Sequence, residues 1–325
     1  MKNPALSGAL AGLSLVAGSA IRSRFTILIF HRVVPVHDPL RPGEPSVEQF
    51  AWQMRLLREH FHPLPLLEAV QRLREGSLPP RAVCVTFDDG YADNAQCAMP
   101  VLKRYAIPAT VFISTGFLNG GRMFNDTVIE TVRGVASDYF DLRDLGLEAY
   151  PMSTTADRLQ SIAAILRAIK PLDLERRQEV ADAIQATARQ LPDDTMMTDQ
   201  QVRSLVANGI EVGAHTVHHP ILASLDSAAA QAEISGSKTH LETLLQRDVQ
   251  LFAYPNGRPQ IDYREEHRAM VERCGFLAAV STHWGAATID SDPYQLPRFT
   301  PWDRQKARYA ARLLLNYRRG DSLVG

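Results

Sequence analysis

Residues 83–94, V-C-V-T-F-D-D-G-Y-A-D-N, limit the possible folds more than any other stretch of the chain. The run opens apolar, with Val83, Val85 and Thr86 β-branched, which is the composition of a buried strand. It stops at two adjacent acids, Asp88 and Asp89, followed by Gly90. A strand ending in charge and glycine delivers polar groups to the rim of an α/β fold, where active sites gather at the carboxyl ends of strands. Two carboxylates this close repel if both are buried and unpaired. A cation held by one of them relieves the conflict. The plain alternative is a polar strand-to-helix turn with an aspartate N-cap, which accounts for one acid more readily than for two.

The remaining chain alternates strand and helix, the pattern of parallel strands joined by crossover helices. Residues 25–30, F-T-I-L-I-F, form a buried strand that ends at His31, and a proline-rich loop follows over 35–45. Ser46 is placed as an N-cap before an amphipathic helix marked by Val47, Phe50, Met54 and Leu57. A second helix covers 64–76. After the acidic motif come a helix over 94–105 and a strand over 109–114. From 119 to about 200 no strand is expected. Helices over 127–135, 155–169 and 174–189 form an insertion beside or over the barrel mouth. Alternation resumes with helix 198–207, strand 209–214, helix 227–245, strand 249–253, helix 263–274 and strand 277–281. The expected architecture is α/β, a distorted (β/α) barrel of about seven units with a helical insertion. Its parts are an N-terminal apolar segment (1–24), the barrel's first part (25–118), the insertion (119–197), the barrel's second part (198–302) and a basic amphipathic C-terminal helix (303–325). A chain of 325 residues accommodates one α/β domain of about 250 residues plus such additions.

A net charge of -1 argues against a nucleic-acid partner. Cys84, Cys97 and Cys274 lack the spacing of a disulfide framework or a cysteine zinc site. Residues 5–21 are uncharged, with Lys2 before them and Arg22 after. They read as a signal peptide with a small-residue cleavage site at 17–20, or as a helix lying on a surface. The chain is therefore placed in the cytoplasm or at a membrane, and in the periplasm or outside if this segment acts as a signal. In the C-terminal helix, Ala310, Leu313, Leu314 and Tyr317 share one face among arginines. It either makes peripheral membrane contact or docks on the barrel wall.

The chemistry lies in four places. In H-T-V-H-H-P, His215 and His219 are four apart, and with one aspartate they make a two-histidine, one-carboxylate set for a catalytic divalent metal. His218 competes with His219 as ligand. F-A-Y-P-N-G, residues 252–257, is a turn at a strand end that can aim a backbone N–H at a developing oxyanion. His31 can act as a general acid near neutral pH. Arg298, in L-P-R-F, can orient a carboxylate. Tyr254, Trp302 and Asp126 are further candidates for orienting or binding substrate, together with Phe124, Asn125 and Trp284.

T-F-D-D-G-Y, H-T-V-H-H and F-A-Y-P-N-G, in this order, resemble the NodB-homology polysaccharide deacetylases, carbohydrate esterase family 4. The resemblance covers residues 25–114 and 198–299 and leaves the insertion unexplained. It implies that Asp88 is the catalytic base, that Asp89, His215 and His219 bind the metal, and that the Asn256 N–H faces the oxyanion. Ala253 stands where the family carries the arginine that pairs with the base, and Arg298 is suggested as its substitute. The late L-x-H motif with the acid histidine is missing, and His283, in T-H-W, has the wrong context. The early I-L-I-F-H-R-V resembles permuted members acting on exopolysaccharides, which makes His31 the acid. The implied cofactor is one divalent ion, zinc first, with nickel, cobalt or iron(II) acceptable. The implied substrate is an N-acetylated polysaccharide or oligosaccharide. The rival readings are another metal-dependent amidohydrolase and an inactive sugar-binding partner in polysaccharide export. A glycosidase is disfavoured, because its carboxylates need about 5 Å or more between them.

Overall fold

A computed structural model describes residues 18, 20–188, 190–300 and 303–323. In chain order the strands are β1 (Phe25–Phe30), β2 (His62–Pro63), β3 (Ala82–Phe87), β4 (Ala109–Ile113), β5 (Tyr139–Asp141), β6 (Ala149–Pro151), β7 (Glu211–Ala214), β8 (Leu251–Ala253) and β9 (Ala278–Val280). The helices are α1 (Val47–His60), α2 (Leu66–Arg74), α3 (Met99–Tyr105), α4 (Phe124–Gly134), α5 (Thr155–Ile169), α6 (Leu174–Ala186), α7 (Asp199–Ala207), α8 (Ser227–Leu245), α9 (Glu265–Arg273) and α10 (Lys306–Arg319), besides a four-residue helix Ala20–Ser23.

The main sheet is parallel, in the order β1-β3-β4-β7-β8-β9, with β2 alongside β3. Residues 296–299 bridge its two edges. Leu296 N–H donates to Ala279 O at 2.9 Å and Ser281 N–H to Leu296 O at 2.9 Å. On the other side Phe299 N–H donates to Ile27 O at 2.8 Å, and Ile29 N–H to Phe299 O at 3.1 Å. This segment links the β1 and β9 edges and so closes the curled sheet into a distorted (β/α) barrel.

Strand side chains alternate between the two faces. Phe25, Ile27, Ala82, Cys84, Phe112, Ala253, Val280 and Leu296 gather in one buried cluster, with Leu66, Ala69, Val70 and Leu73 of α2. Leu28, Phe30, Val83, Val85, Phe87, Val111, Ile113 and Phe252 join the outer cluster against the helices. The same period of two carries Asp88 to the side of Cys84 and Thr86, and Arg298 to the side of Leu296. Both therefore meet inside the rim.

The insertion has its own core. Val128, Val132, Phe140, Tyr150, Ile162, Ile165, Val180 and Ile184 pack together. Contrary to the sequence expectation it contains strands, the antiparallel pair β5–β6. In α10, Tyr309, Ala310, Leu313, Leu314 and Tyr317 are buried in the outer barrel cluster. The apolar face that the sequence offered to a lipid surface is thus occupied by the protein's own core. No helix among the described residues is long and apolar enough to cross a membrane. The reading of residues 5–21 lies almost wholly outside the described residues.

Candidate active site

The tip of β3 delivers both acids. Asp88 N–H donates to Phe30 O at 3.0 Å, which ties the tip to β1. The backbone then turns sharply, with φ +76° at Asp89 and +90° at Gly90. The positive φ favours glycine at position 90, and a side chain there would also press on the Ile113 side chain at 3.1 Å. Asp89, Thr216, His219 and Asn256 make up four of the nine described non-glycine residues with positive φ. Such strain concentrates where surrounding structure fixes functional groups.

His215 follows β7 and is buried. Its Nδ1–H donates to Ala253 O at 2.7 Å, which leaves Nε2 to accept or ligate. His219 is held by the turn between them, where its N–H donates to Thr216 Oγ1 at 3.1 Å. Glu233 of α8 accepts the N–H groups of Val217 and His218 at 2.9 and 2.8 Å and pairs with His218 Nδ1 at 2.7 Å. His218 is therefore turned outward, and the competition between His218 and His219 is resolved in favour of His219.

Asp89 Oδ1 lies 3.5 Å from His215 Nε2 and 3.4 Å from His219 Nε2. Two ligands bound at roughly 2.1 Å to one tetrahedral ion stand about 3.4 Å apart. The Asp89 oxygen is buried and lacks a hydrogen-bond partner, as an oxygen reserved for a cation would be. The three donor atoms lie within 4.8 Å of one another. Burial pushes the His219 ring down to about 4 against the opposing pull of Asp89, so it is neutral and able to ligate at pH 7. Burial would raise the Asp89 carboxyl, but the facing His215 and His219 rings outweigh this and hold it well below the ordinary range. The residues present fit a divalent ion.

Asp88 carries a different partner. Arg298 donates from both guanidinium ends, Nη1 to Oδ1 and Nη2 to Oδ2, each at 2.7 Å. Its Nε donates to Ser281 O at 2.7 Å, and the side chain is fully buried. Burial favours the neutral acid, yet the Arg298 charge outweighs it and keeps the Asp88 carboxyl below its usual pKa. The arginine that is missing at Ala253 is thus replaced in space from the closing segment.

His31 stands on the loop after β1. Asn94 Nδ2–H donates to its carbonyl at 2.9 Å, and Arg32 anchors the next residue to Asp93 at 2.7 Å. His31 is exposed at the rim; desolvation disfavours its cation, but the charges of Asp89, Asp88 and Glu44 outweigh that and raise its pKa. Asn256 lies at the β8 tip, its carbonyl accepting from Thr282 Oγ1 at 2.6 Å. A cavity of about 550 Å³ is lined by His31, Asp88, Asp89, His215, His219, Asn256 and Arg298 from the barrel. Phe124, Asn125, Arg167, Lys170 and Arg177 line it from the insertion.

Three expectations are corrected. Tyr254 does not reach the cavity; it is buried, stacked on Tyr263 at 3.8 Å between ring centres. Asp126 is fully buried, paired with Arg41 at 2.8 Å and accepting from Tyr91 Oη at 2.9 Å, so it braces the insertion rather than meeting substrate. Trp284 lines a separate groove beside α10. His283 bonds Asp321 at 2.7 Å, in keeping with its exclusion as the acid. Trp302 lies outside the described residues. Sequence reasoning missed Arg177. Its signal was there: it occupies the same helical row as Val180, Ala181 and Ile184, where a core residue is expected.

These features place, at the tips of parallel strands, a set of residues that fits a divalent ion beside an arginine-paired aspartate. The family model for polysaccharide deacetylase matches residues 75–166 and 176–279, and the chain belongs to that family. Its members are hydrolases of carbon–nitrogen bonds other than peptide bonds. YxkH of Bacillus subtilis, itself assigned to the polysaccharide deacetylases, is 23% identical over 278 residues, 85% of this chain and 71% of its own length. The poly-beta-1,6-N-acetyl-D-glucosamine N-deacetylase of Staphylococcus aureus is 37% identical over 81 residues, 25% of this chain and 28% of that protein. The fold matches the Streptococcus pyogenes deacetylase PplD with a TM-score of 0.60 at 20% identity, covering 90% of this chain and 98% of that one. IcaB from Ammonifex degensii matches at 0.54 and 20% identity, covering 89% and 97%.

Proposed function

We propose that this site removes N-acetyl groups from the amino sugars of an exopolysaccharide, releasing acetate. The observation that carries the reading is the division of labour between adjacent aspartates. Asp89 joins two histidines around a cation-sized gap, while Asp88 is kept ionised by Arg298. The name of the staphylococcal relative supports an N-acetylglucosamine polymer as the substrate type.

Asp89, His215 and His219 would hold one divalent ion, zinc suiting the nitrogen and oxygen donors, with nickel, cobalt or iron(II) able to replace it. Such an ion supplies Lewis acidity to the acetamide carbonyl and lowers the pKa of water from 15.7 toward about 7. Asp88 takes the proton of the attacking water, and the fork of Arg298 fixes the direction of its free lone pairs. The Asn256 N–H donates to the carbonyl oxygen as negative charge develops on it. His31, whose pKa the neighbouring carboxylates raise, gives its proton to the departing amine.

The test is acetate release from a panel of N-acetylhexosamine oligomers, with and without chelator. Asp88→Asn should lower kcat about a thousandfold, within the range of a lost general base, while bound metal stays at the parent level. A fully active Asp88→Asn protein, or activity indifferent to complete metal removal, defeats the reading.

A further inference from the structure

Three cations from the insertion line the cavity that holds the candidate catalytic groups: Arg167 and Lys170 from the end of α5, and Arg177 from α6. With Arg298, four cationic side chains face only two carboxylates there, and both carboxylates are already committed. Asp88 is held by Arg298, and Asp89 belongs to the metal set.

Arg177 is the informative member. It is only 7% exposed, and its guanidinium lies over the Phe124 ring at 4.5 Å. No carboxylate among the described residues lies within ion-pair distance of it. Three other arginines in or beside the insertion are paired with acids. Arg41 meets Asp126 and Glu130, Arg133 meets Asp38, and Arg176 meets Glu179. A buried arginine without an acid is costly unless an anion arrives from outside. Arg177 and His219 line the same cavity, so the cation faces the metal set rather than a remote surface.

Resting on the deacetylase reading above, we propose that the glycan recognised here carries an anionic group, a carboxylate or a phosphate, close to the N-acetyl sugar, and that Arg177, with Lys170 and Arg167, binds it. A planar guanidinium takes either anion in a bidentate fork. The two lysine and arginine neighbours on α5 are exposed and add attraction that salt screens.

The experiment compares three oligosaccharides of equal length: a neutral N-acetylglucosamine oligomer, one with a uronic acid beside the acetylated sugar, and one with a phosphodiester there. The parent should show kcat/KM at least tenfold higher for a charged oligomer, and whichever of the two is preferred identifies the anion. Arg177→Gln and Lys170→Gln should each cut the charged-to-neutral ratio at least threefold, and Arg177→Lys should keep part of it. A parent ratio of one or below overturns the proposal. Binding to the Asp88→Asn protein, measured by calorimetry, reads the same preference without turnover. There the charged oligomer should bind more tightly, and adding Arg177→Gln should remove the difference. Equal affinities overturn the anion site even where acetate release succeeds. Absent acetate release with the binding preference intact overturns the deacetylase reading alone.

Discussion

The barrel rim and the helical insertion meet over one cavity, but they follow different structural rules. At the rim the two aspartates, His215 and Asn256 lie within three residues of a strand end. Asp88 and Asp89 follow β3, His215 follows β7 and Asn256 follows β8. Their positions are tied to sheet register, and the strained dihedrals at Asp89, His219 and Asn256 are held by neighbouring strands. In the insertion, Arg167, Lys170 and Arg177 project from helices that pack on one another and rest on a separate core. The rim fixes the candidate reacting atoms, and the insertion presents cations from a unit with its own core.

This contrast can be broken at either side. The largest effect is expected from Arg298→Ala. It strips the partner from a buried carboxylate, which costs about 3–5 kcal/mol. Thermal unfolding should show that loss, and acetate release should fall with it. Arg298→Lys keeps the charge but loses the fork and should recover only part of either property. Ile165→Ala acts on the other side. It opens a hole in the insertion core, at a cost of about 2–5 kcal/mol. Hydrogen exchange should quicken in α4, α5 and α6 and stay slow in β1, β3 and β4. Acceleration spreading evenly through the barrel would contradict the independence of the two regions. Glu233→Gln is the mildest change, because it loosens only the turn between two ligands. Metal affinity should weaken by about tenfold, with the Asp88–Arg298 pair undisturbed.

The contrast also explains what the sequence could reveal. The rim was readable because β3 is a continuous buried run that stops at charge, and because histidines four apart and a proline–glycine turn stand at other strand ends. Helices such as 155–169 and 227–245 match the observed α5 and α8 because caps and apolar spacing mark them. The β5–β6 pair was not readable, since each strand is three residues long with one buried side chain, too short for a period-two signal. Closure by residues 296–299 depends on isolated bridges to both edges, which leave no pattern in the chain. Asp126 and Tyr254 were misread for the same reason. A lone acid beginning a helix and a tyrosine in a turn look like rim residues until Arg41, distant in sequence, and Tyr263, beyond the next turn, are seen to cover them.

The central claim is that two adjacent aspartates have separate duties, Asp89 to the ion and Asp88 to the proton. An equilibrium zinc titration of Asp88→Asn and Asp89→Asn tests it most directly. The account predicts one ion per chain at near-parent affinity for Asp88→Asn, and affinity lowered by a hundredfold or more for Asp89→Asn. Equal affinities in the two variants would contradict it.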